Sequence, residues 1–476
     1  MPQSALFLPI LLKALATFSW ALQVTPRLRA LESDVCRTHY RIYDPGLINP
    51  FNDSVPEELC KIAQVQTDLA YLLGWDAFFQ NIPAFIVGFL YSVISERVDR
   101  KTLLLLNVAC HTVEKIYFYS ISYFYNVFDI RLIWAASLFN FVGGGLVVFN
   151  TLTLAMIAEA VPASSLTNVF FNLTSSITAL RMLGVTGGSY LTSSSPWLPI
   201  TLGLFVMAMT IPVCLLLRAY QYQMIPQNEE SEPLVMDEMP ILNSPRSPSL
   251  NNIGEQTQHE NKVVGRSSPK NWLNLVKTSR DDALTYKLPL SIFVVHQLGM
   301  GILDIAQQWM SKRYAWSIQT AGYILASETL LSAVILASLP KASAFLLARW
   351  KTFTAEKKDL LLMKCTLTAA AAGAAVIALA ERRSFLFLGL AVFAFGAGFH
   401  DALKSFVTAR LRDPAQVTRV YLWISMLEVA ANMINGPFWA LMYTFSLRIG
   451  GMGLGLPFLL SSGACVGIIL LVRRLR

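Results

Sequence analysis

The sequence predicts an all-α membrane protein with twelve transmembrane helices in two six-helix bundles, and three observations lead to that prediction. Charged residues make up 14% of the 476-residue chain, whereas they make up about one-quarter of a typical soluble domain. The apolar residues are concentrated in runs of about 18 or more, the length that crosses a bilayer core. These runs fall into two groups of six on either side of a long polar segment. Because no water in the bilayer core can satisfy backbone groups, each run must be a helix.

We call the predicted transmembrane helices spans 1 to 12. Span 1, Ser4–Val24, is long for a secretory signal peptide, and no small-residue cleavage site follows it. A polar outer loop of residues 25–66 comes next, and residues 1–217 form the first predicted bundle. Spans 2 to 6 are Thr67–Ile94, Thr102–Tyr125, Arg131–Ile157, Ser165–Thr192 and Trp197–Leu217.

The polar loop between spans 1 and 2 carries signs of an extracellular or lumenal position. It contains the sequon Asn52-Asp53-Ser54 and two cysteines, Cys36 and Cys60. Outside the cytoplasm, Asn52 is a glycosylation acceptor and the two cysteines are able to pair. We therefore predict a glycan at Asn52 and a Cys36–Cys60 disulfide, with two free thiols as the alternative.

Residues 218–287 differ in composition from the rest of the chain. This segment is polar and rich in Ser, Pro, Asn and Glu, so it cannot bury enough apolar surface to fold alone. We interpret it as a mostly disordered cytoplasmic linker, followed by a second bundle in residues 288–476. Spans 7 to 12 are Leu288–Trp309, Thr320–Leu347, Asp359–Ala380, Ser384–Ala409, Val420–Phe445 and Leu454–Val472.

The distribution of positive charge predicts the orientation. The formal net charge is +8, and many of the bases lie in the turns between spans 2 and 3, 8 and 9, and 10 and 11, and in the final RRLR. Cytoplasmic loops carry an excess of Lys and Arg, so both termini are predicted to be cytoplasmic. Arg27 and Arg29 in the first outer loop count against this orientation, and so do Lys312 and Arg313 after span 7 and Arg382 and Arg383 after span 9. The same distribution explains the net charge without nucleic acid as a partner.

The charged turn between spans 2 and 3 carries a family resemblance. Gly88 and the segment SERVDRK (Ser95–Lys101) resemble the G-x-x-x-D-R-x-G-R-R/K signature of the major facilitator superfamily. The resemblance implies a gating latch in which Glu96 meets the start of span 11. Glu96 replaces Asp and Asp99 replaces Gly, so a looser latch is expected. The bases of this latch are Arg97, Arg100 and Lys101.

Other stretches resemble a fungal branch of uncharacterised transporters of this superfamily, some of which accompany secondary-metabolite gene clusters. They are VQTDLAYLLGWDAFFQNIPAFIVG, SKRYAWS, GFHDALKSFVTA and VYLWISMLEVAANMINGP. A remoter similarity runs to proton-coupled folate-type carriers. The similarity spans nearly the whole chain and implies two bundles that rock about a central site.

The resemblance implies a secondary active transporter that moves a small organic molecule by alternating access, with export of a metabolite or drug as the leading direction. The alternatives are a nutrient or cofactor uptake carrier, or a non-transporting receptor on the same fold. The expected partners are the substrate, protons and membrane lipid, and the expected form is a monomer in the plasma membrane rather than the vacuolar membrane. The chain lacks a Walker loop, an HExxH motif and a CxxC pair, so we predict no enzyme activity, no metal and no cofactor.

Charges inside transmembrane helices are costly and mark functional positions, or else form ion pairs that only hold the bundles together. From them we predict five substrate or coupling residues, with Glu428 as the coupling carboxylate and Arg181–Glu328 and Lys13–Asp304 as natural pairs. Two family signatures are absent: Asn140 replaces the Arg of R-x-x-x-G in span 4, and span 5 lacks G-P-x-x-G-G. The predicted residues are Lys13, Arg181, Asp304, Glu328 and Glu428; the other charges within spans are Glu114, Lys115, His400, Asp401 and Lys404.

Aromatic residues offer a further interpretation of the same spans. They either form the wall of a site for an aromatic ligand or pack in the core and at the membrane interfaces. The candidates are Trp20, Trp75, Phe78, Phe79 and Trp309.

Overall fold

The computed structural model describes residues 4–51, 53–94, 98–159, 161, 163–217, 282–349, 355–409 and 414–473. The described residues form α-helices and short 3-10 helices, and their single β-bridge joins Asn49 to Ser54. Residues 1–220 and 286–476 belong to one compact unit. The predicted linker lies outside the described residues except for its last six positions.

The predicted spans of the first half are helical. Span 1 is Ser4–Tyr43, span 2 is Ala63–Ile94, span 3 is Arg100–Tyr123 and span 5 is Ala163–Thr192. Span 4 consists of Ile130–Leu138, Phe139–Gly143 and Gly145–Glu159, and span 6 consists of Trp197–Ala208 and Thr210–Leu216.

The second half repeats this plan. Span 8 is Ile318–Arg349, span 9 is Ala355–Leu379 and span 11 is Pro414–Ile449. Span 7 consists of Asp282–Met300 and Leu303–Tyr314; span 10 of Arg383–Ala394, Phe395–Gly398 and Phe399–Ala409; span 12 of Gly451–Gly455 and Leu456–Val472.

The predicted membrane fold is confirmed. Eight helices in the described part of the chain are long and apolar enough to cross a membrane, and they correspond to spans 1, 4, 6, 7, 8, 9, 10 and 12. Spans 2, 3, 5 and 11 are helices of 32, 24, 30 and 36 residues at the other four predicted positions. The full count of twelve crossings stays a prediction that depends on those four.

Span 1 does not end at Val24 as predicted but continues through Pro26 to Tyr43. The polar residues of this extension are satisfied inside the bundle: Arg27 pairs with Asp76 of span 2, and Arg29 lies 3.1 Å from Glu32. The predicted outer loop of residues 25–66 is therefore shorter, since its first part is helix. Arg27 and Arg29 form internal ion pairs, so they no longer count against the predicted orientation.

The remaining loop is stapled to span 1. Cys36 near the end of that span forms a disulfide with Cys60 in the 3-10 helix Glu57–Lys61, with 5.4 Å between their Cα atoms. This confirms the predicted bridge, whereas Asn52 lies outside the described residues. Burial alone would raise the pKa of Asp53, but hydrogen bonds from Tyr125 and Arg41 outweigh it and hold that pKa below its ordinary value.

Glycines allow two pairs of spans to cross closely. A Cβ at Gly74 of span 2 would lie 2.7 Å from the carbonyl oxygen of Gly436 in span 11. A Cβ at Gly184 of span 5 would lie 2.6 Å from the Cβ of Ala21 in span 1, and one at Gly188 would overlap the Leu22 carbonyl oxygen. Small residues at helix crossings permit such backbone contact in membrane proteins. Spans 1 and 5 therefore pack within the first half, and spans 2 and 11 pack between the halves.

Spans 4 and 7 are interrupted within the membrane. Gly144 and Gly145 adopt φ values of 77° and 65°, which favour glycine. Asn107 Nδ2 donates to the carbonyl oxygens of Gly143 and Gly145 at 2.5 and 2.9 Å, so the interrupted backbone keeps hydrogen-bond partners. In span 7, Gly301 separates the two helical segments. Such breaks place helix ends inside the bilayer, where they are able to act on charged groups.

Replacing both Cys36 and Cys60 by Ser should lower the melting temperature of the detergent-solubilised protein. The bridge closes a sequence separation of 24 residues, and a loop of this size is expected to contribute roughly 3 kcal/mol. Cys365→Ser is the matched control, because Cys365 is free and exposed. Equal melting temperatures for the double variant and the control would show that the bridge does not stabilise the fold.

Gly188→Ala should destabilise the protein by roughly 1–3 kcal/mol, because the added methyl group overlaps the backbone of span 1. Gly187→Ala on the same helix should be neutral or stabilising, since its Cβ meets only Leu22 Cδ1 at 3.7 Å. Thermal unfolding of the two variants side by side measures the difference. A Gly187→Ala variant that is the less stable of the two would refute the assigned packing of spans 1 and 5.

Candidate functional site

In the described part of the chain, the hydrogen bonds between the two halves lie at one end of the bundle. One end of the bundle carries the loop 44–62, and we call it the loop end. The opposite end, where the linker begins after residue 217 and ends before residue 282, is called the linker end. Near the loop end, Gln307 Nε2 of span 7 donates to Thr25 Oγ1 of span 1 at 3.1 Å, and the Thr25 and Ser189 hydroxyls share a hydrogen bond of 2.9 Å. A Cβ at Gly322 of span 8 would lie 2.6 Å from Thr25 Oγ1. We call Thr25, Ser189, Gln307 and Gly322 the seal.

Further contacts between the halves lie on the loop side of the seal. The backbone N–H of Ile318, which begins span 8, donates to Glu57 Oε1 at 2.7 Å. Gln308 Nε2 donates to the backbone oxygen of Gln66 at 2.8 Å and to its Oε1 at 3.0 Å. Lys312 donates to the backbone oxygen of Lys61. The loop-end contact is therefore made of hydrogen bonds and close packing of small residues.

An ionic cluster holds the first-half side of this contact in place. Lys61 Nζ lies 2.7 Å from Glu32 Oε1 and 3.0 Å from Glu57 Oε1. Arg29 lies 3.1 Å from Glu32 and 3.3 Å from Glu57. Lys61 directly follows the disulfide-bonded Cys60. The disulfide therefore holds in place both the ionic cluster and Glu57, whose carboxylate accepts the N–H at the start of span 8.

A group of unpaired charges lies on the linker side of the seal. It contains Arg181 of span 5, Asp304 of span 7 and Glu328 of span 8, and we call these three residues the central charge group. The Arg181 guanidinium lies over the Trp20 ring, 5.0 Å from its centroid. Arg181 interacts electrostatically with both carboxylates, yet among the described residues it forms no ion pair within 4.0 Å.

Exposure shows that this group faces an open space. Arg181 and Asp304 are exposed and Glu328 is half-buried, although all three lie within predicted spans. Arg181 belongs to the first half and the two carboxylates belong to the second, and Arg181 interacts electrostatically with both carboxylates. The space that these residues face therefore lies between the halves. Gln307 and Asp304 are one turn apart on span 7, which places the seal directly next to the group.

The break in span 7 explains how Asp304 is tolerated there. Asp304 lies in the first turn of the helical segment Leu303–Tyr314. Negative side chains are stabilised at a helix N-terminus, where unpaired N–H groups and the helix dipole point at them. Glu328 is supported differently, because Ser332 Oγ donates to its Oε1 at 2.7 Å.

The other two predicted site residues lie apart from this group. Lys13 Nζ donates to Asn150 Oδ1 of span 4 at 2.7 Å, so its partner is not Asp304 as the sequence suggested. Glu428 of span 11 interacts electrostatically with Lys404 of span 10. The side chain of Asp401 lies outside the described part of the chain. The structure thus brings together Arg181, Asp304 and Glu328 from the predicted set.

A second polar network lies buried inside the first half. Glu114 of span 3 is fully buried and lies 2.8 Å from His111 and 3.0 Å from Lys115. Gln80 Nε2 donates to Glu114 at 2.8 Å, and its Oε1 accepts from Asn140 at 2.8 Å. Together with the Arg27–Asp76 pair, these contacts join spans 1 to 4. Asp76 is not among the residues predicted from the sequence. Its position as an acid within the apolar stretch GWDAFF is the feature that could have indicated a buried charge.

The predicted gating latch is only partly within the described residues. Glu96 and Arg97 lie outside them, and so do most of the side chains at the start of span 11, which Glu96 was expected to meet. Lys101 Nζ donates to the backbone oxygen of Leu215 in span 6 at 2.7 Å, and Arg100 is also engaged. The described contact of Lys101 therefore joins spans 3 and 6 of one half, and the latch stays a prediction.

The aromatic candidates divide into two groups. Trp75 packs edge-on against Phe78 at 5.3 Å and Phe79 packs against Trp134 at 5.7 Å, so these rings contact one another in the first half. Trp309 is buried and donates to the Leu454 oxygen at 2.6 Å. Trp20 alone among the five candidates touches the central charge group. Within the described residues, no cluster of three His, Cys, Asp or Glu residues fits a metal ion.

Sequence comparisons find relatives along nearly the whole chain. The MFS efflux pump atnC of Emericella nidulans is 25% identical over 469 residues, which cover 96% of this chain and 86% of that protein. The efflux pump ustT of Aspergillus flavus is 24% identical over 433 residues, which cover 90% of this chain and 80% of that protein. No protein-family model matches the chain.

Solved structures share the architecture. An auto-inhibited peptide transporter of the POT family aligns with a TM-score of 0.61 at 13% identity, covering 99% of this chain and 97% of that one. The human organic anion transporter MFSD10 aligns with a TM-score of 0.59 at 16% identity, covering 99% of this chain and 100% of that one. At these identities the structural likeness establishes the fold. The chain is therefore similar along nearly its whole length to fungal efflux pumps, among them an MFS efflux pump, and it has the fold of a multi-pass membrane transporter.

Proposed function

We propose that the protein exports a small organic molecule by alternating access, and that the central charge group contacts this molecule. The observation that carries the proposal is the position of that group next to the seal. Alternating access requires a site that is closed on one side and reachable from the other. The loop-end contacts supply the closed side, and the exposed charges lie immediately beyond them.

The linker end is proposed to face the cytoplasm, with both termini on that side. The Cys36–Cys60 disulfide supports this orientation, because disulfides persist in oxidising compartments. The bases in the turns of the linker end agree with the excess of Lys and Arg in cytoplasmic loops. In this orientation the described conformation is closed to the outside.

Outward movement of the substrate is proposed from the relatives, two of which are named efflux pumps. The central charge group is suited to hold a polar organic molecule, since it offers a guanidinium and two carboxylates within one space. Glu428 is the proposed coupling carboxylate. It lies beside Lys404, so a change in its protonation would alter the charge balance between spans 10 and 11.

Transport by reconstituted protein tests the proposal directly. Proteoliposomes should move at least one member of a panel of cationic, anionic, zwitterionic and neutral metabolites faster than protein-free liposomes do. A proton gradient should accelerate that movement, and Glu428→Gln should abolish the acceleration because an amide cannot bind and release a proton. Absence of transport across the panel, with and without the gradient, would contradict the function. A Glu428→Gln variant that responds fully to the gradient would remove only the coupling assignment.

Gly322→Val should open the loop end, because a side chain at this position overlaps Thr25 and Ser189 across the seal. Spin labels at Val127 and Glu381, exposed loop-end positions of the two halves, should then move apart. The measurement uses a background in which the four free cysteines are serines. Gly463→Val is the matched control, since nothing lies within 4 Å of a Cβ at Gly463. An unchanged distance distribution in Gly322→Val would show that the seal does not hold the halves together.

A further inference from the structure

We propose that the transported molecule is an amino-acid-like zwitterion, whose carboxylate binds Arg181 and whose ammonium group binds Asp304 and Glu328. This inference rests on the proposed transport function and names the substrate class of the same site. It is carried by three features of the described residues: the division of charge between the halves, the absence of close pairing, and the way Trp20 holds Arg181.

Charge is divided between the two walls of the central space. The first half contributes the cation Arg181. The second half contributes the carboxylates Asp304 and Glu328. A molecule bound between these walls therefore meets positive charge on one side and negative charge on the other. Electrostatic complementarity between ligand and site then selects a molecule with both signs of charge.

The central charges differ from the ion-paired charges of the first half. In the first half, Lys61, Arg37 and Lys115 each lie 2.6–3.0 Å from a carboxylate oxygen that is buried. These contacts are closed ion pairs that hold helices together. Arg181 reaches neither Asp304 nor Glu328 within 4.0 Å in the described structure, and both Arg181 and Asp304 are exposed. Their hydrogen-bonding capacity is therefore available to a ligand.

Trp20 holds Arg181 in a way that preserves this capacity. The guanidinium carbon lies 5.0 Å from the ring centroid, and this cation–π contact forms no hydrogen bond with a carboxylate or carbonyl group. The N–H donors of a guanidinium lie in its plane and are able to bind both oxygens of a carboxylate. Trp20 thus fixes the position of Arg181 and leaves these donors for an anionic group.

Closure of the site favours a ligand that offers each wall an opposite charge. An unpaired charge inside a membrane protein is costly. A cation would pair with the carboxylates and leave Arg181 without a partner from the ligand, and an anion would do the reverse. A zwitterion gives both walls a partner; because Arg181 faces two carboxylates, the closed site is neutral only when one carboxylate also carries a proton. Since Arg181 and the carboxylates act on one another, the two charges of the ligand have to be only a few bonds apart.

Binding of four matched probes to the purified protein tests this assignment. The probes are L-phenylalanine, N-acetyl-L-phenylalanine, L-phenylalaninamide and N-acetyl-L-phenylalaninamide, which carry both charges, only the negative charge, only the positive charge and no charge. Isothermal titration calorimetry should give L-phenylalanine at least tenfold higher affinity than each of the other three. Equal affinities, a different order, or no binding of any probe would overturn the substrate class.

Two variants assign each charge to its wall. Arg181→Gln should lower the affinity for L-phenylalanine to that for L-phenylalaninamide and leave the affinity for the amide unchanged. Glu328→Gln should weaken both of those probes and leave N-acetyl-L-phenylalanine unchanged. Arg448→Gln at an exposed position is the control that should change none of the affinities. A uniform loss across all probes in either variant would indicate a structural role and would also overturn the proposal.

Failure of the substrate class is distinguishable from failure of the transport function. If the metabolite panel is transported but the matched probes do not bind in the stated order, alternating access stands and the zwitterion assignment is wrong. If nothing in the panel is transported and the spin-label distance stays unchanged in Gly322→Val, the transport proposal itself fails.

Discussion

The contact between the halves at the loop end is the constraint on which the rest of the structure depends. It is built from groups that are able to approach closely: a glycine in span 8, two hydroxyls in spans 1 and 5, and an amide in span 7. A large side chain at any of these places would hold the halves apart. The described contact combines these hydrogen bonds with packing of apolar residues from both halves, such as Ala21, Val185 and Ala326. Helices in a membrane gain no hydrophobic free energy by associating, so they associate through close packing of small residues and through hydrogen bonds. The loop-end contact uses both.

The embedded charges serve two different purposes, and their geometry separates them. In the first half, Asp76, Glu114 and Glu32 are each in close contact with one or more cations and are nearly inaccessible. Such groups keep spans 1 to 4 in fixed positions, because removing one partner would leave a buried charge uncompensated. Arg181 and Asp304 are held instead by an aromatic face and by a helix N-terminus. Both supports stabilise charge without consuming the hydrogen bonds that recognise a ligand.

Much of this architecture could be predicted from the sequence, because the bilayer imposes helix length and composition. Apolar runs located the spans, and Cys36 and Cys60 could be paired because they share one polar loop. Hydropathy could not show that span 1 continues to Tyr43, since Arg27 and Glu32 look like loop residues until their partners are known. The same limit applies to pairs of charges. The order of spans suggested Lys13 beside Asp304, but whether Lys13 reaches Asn150 instead depends on helix rotation, which a single sequence does not contain.

The break in span 7 connects these observations. Gly301 directly follows the helical segment that ends at Met300 and lies beside Asn435 of span 11, where a Cβ would lie 2.5 Å from the side-chain carbon of Asn435. The next segment starts two residues later and carries Asp304 in its first turn and Gln307 in its second. One short helix therefore bears both a charge of the central group and a hydrogen-bond donor of the seal. Under the proposed function, a ligand bound to Asp304 would contact the same helical segment that donates the Gln307 hydrogen bond of the seal, and span 7 would connect the site to the loop end.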